Sequence, residues 1–467
     1  MTDDIVKYMF DYYKIIAIST AEITLVIKFI KWFRKKEKER SKKRPIIINK
    51  LLSKKRCKEY YYEDSNTTTN DDIDDSEIDD DDIDTGITEI DDYDVLWNWH
   101  SRPYPIPNKR ILTQPQFNTI EKTKGEELVE LLKTFGVDCT IVHTVVSYAV
   151  TLYELKLAKG VRVNKVNTLI NDIELNLPAK SVRIVPPSTE EATIAIEVAN
   201  SKHGLLNFTE TEEPNIANMA IPFVIGKNVY NRTVSVDIAK LPHLLIAGST
   251  GSGKSVCIND LICSVLYSKT ANEVKMLLID PKMVELSVYN GIPHLLTPVI
   301  TNVTDAVINL KILVNEMDRR YRLLKEEGCR NIQRYNVKNT KKLPHILVVI
   351  DEFADLMRYA RKEVEPIIDR LAAMSRAVGI HLVMATQRPS SDVITGTIKN
   401  NFPARLALKV SSAMNSRIIL DETGAEKLIG NGDALLSVAG KDLERIQSSY
   451  LSDEDVEITV KHFSKYL

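Results

Sequence analysis

After about residue 240, short runs of apolar residues alternate with longer stretches in which apolar residues recur at helical spacing. The runs at residues 244–247, 346–350 and 380–385 are almost uninterrupted. Such runs are typical of strands that are buried on both faces of a parallel sheet, and the stretches between them are typical of covering helices. The pattern therefore predicts an α/β fold built on a parallel sheet.

A shorter αβ pattern precedes this region. It indicates a helix around residues 128–132, a strand at 147–153, a helix at 164–177, and strands at 181–185 and 193–198. No motif of recognisable chemistry falls within it. We therefore predict an accessory or docking domain at residues 125–215, followed by the larger domain at residues 216–467.

The first 62 residues have a different character. Residues 15–30 are mostly apolar but contain Glu22 and Lys28, and residues 31–58 are strongly basic. An apolar segment followed by a basic one is the order expected of an anchor at the inner face of the cell membrane, either an imperfect span or an interfacial helix. The alternative is an exposed helix that packs on a partner.

Residues 63–94 carry sixteen acidic side chains and no Lys or Arg. A segment of this composition repels itself and cannot bury enough apolar surface to fold, so residues 63–124 are predicted to be a disordered acidic linker. A less favoured alternative is that the acidic run mimics DNA and folds back on a basic surface of the protein.

Composition and charge add only weak constraints on the fold and the function. A chain of 467 residues with 44% apolar content can form two or three domains. The charges of residues 1–124 sum to about −2, which leaves the rest near neutral, so a DNA site in the folded part must be a local basic surface. Five scattered cysteines without metal-ligand spacing favour a reducing, cytoplasmic setting.

A phosphate-binding loop follows the apolar run at 244–247 and opens a helical stretch. Its residues are Gly248, Ser249, Thr250, Gly251, Ser252, Gly253, Lys254 and Ser255. In this motif the backbone N–H groups surround the phosphates, the lysine reaches the β- and γ-phosphates, and the hydroxyl of Ser255 binds Mg²⁺. The spacing predicts an ATP and Mg²⁺ site, whereas a flexible Gly/Ser linker would rarely lie between a buried strand and a helix.

Polar residues follow the next two apolar runs. Asp351 and Glu352 come directly after residues 346–350, and Gln387 follows residues 380–385 and Thr386. We predict that Asp351 holds Mg²⁺ through water and that Glu352 polarises the attacking water. The alternative for Asp351 is a helix cap. Gln387 is a candidate γ-phosphate sensor, or else an ordinary polar residue at a strand end.

The chain from 241 to 436 resembles the motor of the FtsK/SpoIIIE family of DNA translocases. The resemblance is carried by residues 241–255, 280–286 (DPKMVEL), 291–296 (GIPHLL), 351–357 (DEFADLM), 385–389 (ATQRP) and 424–428 (GAEKL). Residues 160–184 resemble the domain that precedes this motor. The resemblance implies a RecA-like motor that assembles as a homo-hexameric ring and moves double-stranded DNA through its pore using ATP.

Further roles follow from the resemblance alone. By position, Arg376 is similar to the arginine finger that completes a neighbouring subunit's site, and Arg388, Lys399 and Arg417 are similar to DNA-contacting residues of the pore. A fixed guanidinium suits both tasks because it neutralises phosphate charge. Ala413 and Asn431 stand where relatives often carry a basic residue, which weakens the expected grip on DNA.

Because the motor pattern ends close to Leu467, and residues 1–62 offer at most one span, we expect neither a winged-helix domain nor a multi-span membrane domain. This combination resembles members from plasmids or other mobile elements, so plasmid, phage or conjugative DNA movement is the leading hypothesis. A conjugative coupling protein that binds a relaxase and a type VII protein-export ATPase remain alternatives, although the latter typically has several motor cassettes. A non-hydrolysing docking module is disfavoured by the presence of Asp351, Glu352 and Arg376.

Overall fold

The computed structural model describes residue 97 and residues 125–466, apart from 178, 189–192, 201–202, 212 and 214. The predicted anchor at residues 1–62 lies outside the described residues, as does the predicted linker except for Trp97. Within the described part, no helix is long and apolar enough to cross a membrane.

The small domain packs helices against a four-stranded antiparallel sheet with the strand order β1-β2-β4-β3. Leu128 and Leu132 of its first helix are buried against Tyr153 and Ile196 of the sheet. Its elements are α1 (Gly125–Thr134), β1 (Cys139–Val146), β2 (Val150–Leu157), α2 (Val163–Thr168), α3 (Ile170–Asn176), β3 (Val182–Ser188) and β4 (Thr193–Ala199).

The strand predicted at residues 147–153 is only partly correct. A turn occupies its beginning, where the Ser147 N–H donates to the Val150 carbonyl at 2.9 Å, and β2 continues to Leu157. The preceding strand β1 was not predicted, because none of its residues is fully buried and it lacks the apolar alternation that marks a half-buried strand.

The large domain contains a nine-stranded sheet with the order β6-β5-β13-β12-β11-β7-β10-β9-β8. Its strands are β5 (Pro222–Asn228), β6 (Thr233–Asp237), β7 (Leu244–Ala247), β8 (Val274–Ile279), β9 (His345–Ile350), β10 (Ile380–Thr386), β11 (Ala404–Leu408), β12 (Asp433–Val438) and β13 (Glu444–Ser448). Its helices are α4 (Lys254–Leu266), α5 (Val303–Glu326), α6 (Ile332–Lys338), α7 (Phe353–Met374), α8 (Gly396–Asn401), α9 (Ala413–Leu420) and α10 (Asp453–Phe463).

Five neighbouring strands of this sheet, β11-β7-β10-β9-β8, are parallel, which confirms the predicted α/β fold. Successive residues of a strand face opposite sides, so Leu244 and Ile246 pack with α4 and α10, while Leu245 and Ala247 pack with α5 and α7. The result is a three-layer arrangement in which the parallel strands are covered on both faces.

The remaining strands, β12, β13, β5 and β6, extend the sheet in antiparallel fashion. Neither these strands nor the parallel strands β8 and β11 were predicted. Their side chains are partly exposed in β6 and β13, so the sequence lacks the continuous apolar runs of the central strands. The sheet is therefore mixed, with the parallel half carrying the segments that were predicted to be functional.

Trp97 is buried against the large domain. Its indole Nε1–H donates to the Oδ1 of Asn309 on α5 at 3.0 Å. The polar edge of the ring thus has a partner while its apolar body joins the core.

A buried ion network joins the two domains. Arg445 on β13 donates from Nε and Nη2 to both carboxylate oxygens of Asp433, at 2.9 and 2.7 Å, and from Nη1 to Glu197 on β4 at 2.7 Å. Arg183 on β3 also reaches Glu197. Burial opposes the charged form, but the two carboxylates raise the pKa of Arg445 above its ordinary value. One side chain therefore bridges two buried acids from different domains, and Arg183 supplies a second positive charge at Glu197.

Arg445→Met should destabilise the protein by about 3–5 kcal/mol, because it leaves Asp433 and Glu197 buried without their shared cation. For a chain of this size the melting temperature should fall on the order of 5–10 °C, measured by thermal unfolding of the full chain. Lys338→Met, which breaks the exposed pair with Glu327, is the control and should leave the melting temperature unchanged. If the Arg445 variant and the wild type had the same melting temperature, the stabilising role given to this network would be contradicted.

Candidate nucleotide-binding site

The predicted phosphate-binding loop connects the end of β7 to the start of α4. Gly251 and Gly253 have φ angles of +77° and +102°, which residues with a Cβ rarely adopt. A Cβ at Gly253 would also lie 2.6 Å from the amide nitrogen of Gly432. The loop can therefore take this conformation only with glycine at these positions.

Neighbouring elements hold the loop in place. The Ser249 N–H donates to the Lys409 carbonyl at 2.8 Å, and the Gly248 N–H donates to the Thr386 carbonyl at 3.2 Å. From the other side, the Gly432 N–H donates to the Ser252 carbonyl at 2.9 Å. The loop is thus fixed before any ligand arrives, with the N-terminal end of the 13-residue helix α4 behind it.

Lys254 is buried beside the predicted metal-binding aspartate. Its Nζ donates to Asp351 Oδ1 at 2.5 Å and to the Asp351 carbonyl at 2.8 Å. Burial raises the pKa of Asp351, and the Lys254 ammonium opposes this shift. The second carboxylate oxygen, Oδ2, is buried and has no hydrogen-bond partner among the described residues. An oxygen of this kind fits a ligand to Mg²⁺ or to its bound water.

Ser255 faces a second carboxylate. Its hydroxyl donates to Glu285 Oε1 at 2.7 Å. Glu285 lies in the turn after β8, where the Asp280 carboxylate accepts from the backbone N–H groups of Lys282, Glu285 and Leu286. Ser255, Asp351 and Glu285 supply oxygen ligands, the type that Mg²⁺ prefers, so the residues fit the predicted metal.

Glu352 is 1% exposed and is held by three elements. Its Oε1 accepts from the Thr386 hydroxyl at 2.7 Å and from the Gln387 N–H at 3.1 Å, and its Oε2 accepts from Lys282 Nζ at 2.7 Å. Burial alone would lower the pKa of Lys282, but its hydrogen bond and charge interaction with Glu352 outweigh burial and raise it. A carboxylate held in a fixed position next to the phosphate-binding loop is suited to act as a general base.

Gln387 lies between this carboxylate and the phosphate-binding loop. Its backbone N–H donates to Glu352, while its side-chain Oε1 accepts from the Thr250 hydroxyl at 3.0 Å. A side chain in this position touches the loop directly and can respond to a change in it.

The structure brings together the loop, Asp351, Glu352 and Gln387. They meet because β7, β10 and β9 are adjacent and parallel, so the residues after their C-terminal ends share one edge of the sheet. Sequence reasoning assigned no role to Lys282, Glu285 or Thr386. The available signal was the run at residues 274–279, which ends in an acidic residue, Asp280, as the run before Asp351 does.

Arg376 lies at the opposite edge of the sheet. It is exposed, within the 3-10 turn Ser375–Val378 before β10, and its Nη2 donates to the Lys240 carbonyl before β7 at 3.4 Å. Seven strand residues separate this turn from the site edge, a distance of roughly 20 Å. Arg376 therefore does not reach the phosphate-binding loop of its own chain.

The three predicted DNA-contacting residues are distributed over separate elements. Arg388 is exposed directly after Gln387, and Arg417 is exposed on α9. Lys399 on α8 pairs with Asp421, which also accepts from Arg405. Ala413 opens α9, and Asn431 has a positive φ of 52° in the turn against the phosphate-binding loop.

Comparison with family models gives two matches. Residues 205–391 match the FtsK/SpoIIIE family, and residues 106–200 match the FtsK alpha domain. The second match covers the small domain, and the first covers the large domain as far as residue 391. They also agree with the arrangement of a small domain preceding a nucleotide-binding domain.

Curated relatives show the same likeness. The chain is 46% identical over 379 residues to a protein named DNA translocase FtsK from Staphylococcus epidermidis, which is 77% of this chain and 47% of that protein. It is 49% identical over 377 residues to a protein of the same name from Treponema pallidum, with 77% and 47% coverage. The chain thus spans about half the length of these relatives.

Among solved structures, the chain is similar to the pCW3 conjugation coupling protein TcpA in its monomer form with ATPγS. The TM-score is 0.51 and the sequence identity 26%, over 73% of this chain and 99% of that chain. The likeness supports a RecA-like motor fold for the larger domain.

Proposed function

The chain belongs to the FtsK/SpoIIIE family, and from this membership we propose that it is a motor that couples ATP hydrolysis to the movement of double-stranded DNA. The observation that carries the proposal is the convergence of Lys254, Asp351 and Glu352 at one edge of the parallel sheet. These are the groups that a P-loop ATPase needs to bind phosphate, to hold a metal and to activate water.

The contacts support a distinct role for each of these side chains in nucleotide binding and hydrolysis. Lys254 exchanges its contact with Asp351 for the β- and γ-phosphates when nucleotide enters, which frees the Asp351 carboxylate. Ser255 and Asp351 would hold Mg²⁺, and Glu285 accepts a hydrogen bond from the Ser255 hydroxyl. When bound, Mg²⁺ neutralises phosphate charge and orients the phosphate oxygens. Glu352 accepts the proton of the attacking water.

One short segment connects the hydrolytic site to the proposed DNA contact. Thr386 and Gln387 both donate to Glu352, and the next residue, Arg388, donates its backbone N–H to the Thr386 hydroxyl at 3.0 Å. A displacement of Arg388 by a DNA phosphate would therefore be transmitted to the position of Glu352. This continuity supports stimulation of hydrolysis by DNA.

The position of Arg376 supports the assembly of several subunits into an oligomer. Because Arg376 lies at the edge opposite its own phosphate-binding loop, it can act as an arginine finger only on another subunit. A head-to-tail contact of this kind, repeated around an axis, closes a ring. We propose a homo-hexamer with Arg388, Lys399 and Arg417 directed toward DNA in its pore, as the family resemblance implies.

The proposal is tested by the ATPase rate of the full chain with long duplex DNA, with single-stranded DNA and with no polymer. We expect duplex DNA to increase the rate several-fold and the increase to fall steeply with added salt, because phosphate contacts release counterions. Hydrolysis that is indifferent to duplex DNA would contradict the proposal and favour a protein cargo.

A conjugative coupling role is the second candidate. It is favoured by the likeness to the TcpA conjugation coupling protein, nearly all of which is matched. Co-purification of a relaxase with the full chain from cells carrying the mobile element would support it. A membrane tether through residues 1–58 remains a prediction, which fractionation of the full chain and of a chain lacking these residues would test.

A further inference from the structure

A cleft of about 380 Å³ lies between the first turns of α7 and the segment after β10. It is lined by Arg358, Arg361 and Arg388, with Ser390, Asp392 and Met357. Three arginine side chains therefore line one concave surface. None of the roles assigned so far involves Arg358 or Arg361.

The helical side of the cleft has an unusual sequence for an exposed helix. Residues 358–362 read Arg-Tyr-Ala-Arg-Lys and contain no acid. Four of the five are exposed, and Tyr359 is 69% exposed although its ring is large. The guanidinium of Arg358 lies 5.5 Å from the centre of that ring. Basic residues interleaved with an exposed aromatic are typical of surfaces that contact nucleic acid.

The backbone presents this run outward. Ala360 has φ −141° and ψ 36°, so α7 is interrupted between the two arginines. Pro366 further removes the N–H that would bond the Lys362 carbonyl. The interruption changes the direction of the helix at the point where the arginines flank the cleft.

The cleft carries net positive charge. Arg361 pairs with Glu365 at 3.0 Å on the helix itself, and Asp392 is the acid in the lining. The lining itself holds three arginines against this one acid, while the neighbouring Lys362 is followed directly by the exposed Glu363. Guanidinium groups match phosphate oxygens in geometry and remain charged at all relevant pH values.

We propose that Arg358 and Arg361 extend the contact of Arg388 into a second phosphate-binding surface that takes the sugar-phosphate backbone of DNA. This inference rests on the proposed function as a DNA motor. The location links this surface to the hydrolytic site, because α7 begins at Phe353 and Glu352 stands at its N-cap position, without a side-chain cap bond. A DNA phosphate held at Arg358 therefore acts on the same helix that follows the proposed base.

The test compares the full-length double variant Arg358→Gln/Arg361→Gln with Arg370→Gln. Arg370 is a matched control, because it lies on α7, is about half exposed and pairs with Asp318. The affinity for a long duplex is measured between about 50 and 200 mM salt. We expect the log–log salt dependence of the double variant to become shallower by about 1 for each lost contact, with affinity weaker on the order of tenfold.

Lysine at both positions, Arg358→Lys/Arg361→Lys, should recover most of the salt dependence because it restores the charges. The inference would be overturned if the glutamine double variant bound duplex DNA as tightly as Arg370→Gln does, while Arg388→Gln weakened binding. That result would leave the motor proposal intact. A raised KM for ATP with unchanged duplex affinity would assign the cleft to nucleotide phosphates instead. Absence of duplex binding by the wild type would remove the proposed function itself.

Discussion

Replacement of Glu352 by glutamine should lower ATP turnover by about 10²–10⁴-fold while leaving nucleotide binding nearly unchanged. The amide keeps an oxygen that can accept from Thr386 and Gln387, so the local packing is retained. It cannot take a proton from water, and its NH₂ group would face the ammonium of Lys282. The variant therefore separates binding from hydrolysis.

Single-turnover hydrolysis and equilibrium binding of an ATP analogue measure the two steps. Asp355→Asn makes the same chemical change on the first turn of α7 and should hydrolyse ATP like the wild type. Lys254→Ala removes the phosphate ligand, so binding itself should be lost. Normal turnover by Glu352→Gln would show that another group activates the water.

The central parallel strands could be predicted because helices cover both of their faces. Strands covered by helices on both faces read as unbroken apolar runs, as at residues 346–350, and polar residues placed directly after them must lie at one edge of the sheet. The half-exposed strands β1, β6 and β13 carry no such signal. Their pairing depends on the neighbouring strands, which local sequence does not record.

The site was predictable to the same extent. The loop, Asp351 and Glu352 each follow a continuous apolar run, so the sequence alone places them at strand ends, whereas the contact of Lys282 with Glu352 depends on β8 lying next to β9. The hydrogen bond from Thr386 to Glu352 likewise requires β10 to lie next to β9 on its other side. Residues 280–286 were noted only as part of a resemblance, and tertiary structure was needed to connect them to the base and the metal ligand.

The turn that carries Arg376 is held by side-chain hydrogen bonds at the sheet edge opposite the site. The Arg320 Nη1 donates to the Val378 carbonyl at 2.9 Å, and the Tyr321 hydroxyl donates to the Met374 carbonyl. Beneath the turn, burial lowers the pKa of His243 to about 3 and that of His381 to about 4. Both imidazoles are therefore neutral at pH 7 and add no charge beside Arg376. A base held in this way suits the proposed action of the Arg376 guanidinium on a neighbouring subunit.

Arg376→Ala should reduce ATP turnover by about 10³–10⁵-fold, the loss expected when an arginine finger is removed. The decisive measurement mixes this variant with Glu352→Gln, which is inactive for a different reason. In a mixed ring, an Arg376→Ala subunit keeps Glu352 and can receive the finger of a Glu352→Gln neighbour. With equal amounts and random assembly, about a quarter of the sites are complete, so activity should reappear on mixing.

Each variant mixed with itself should stay inactive, and wild type mixed with Arg370→Ala should keep full activity, which controls for effects of mixing itself. If finger and base belonged to the same subunit, every site in the mixture would lack one of them and no activity would return. Failure of the mixture to recover, with exchange demonstrated by labelled subunits, would therefore reject the action of Arg376 on a neighbour. Recovery would establish that the site is completed only by assembly.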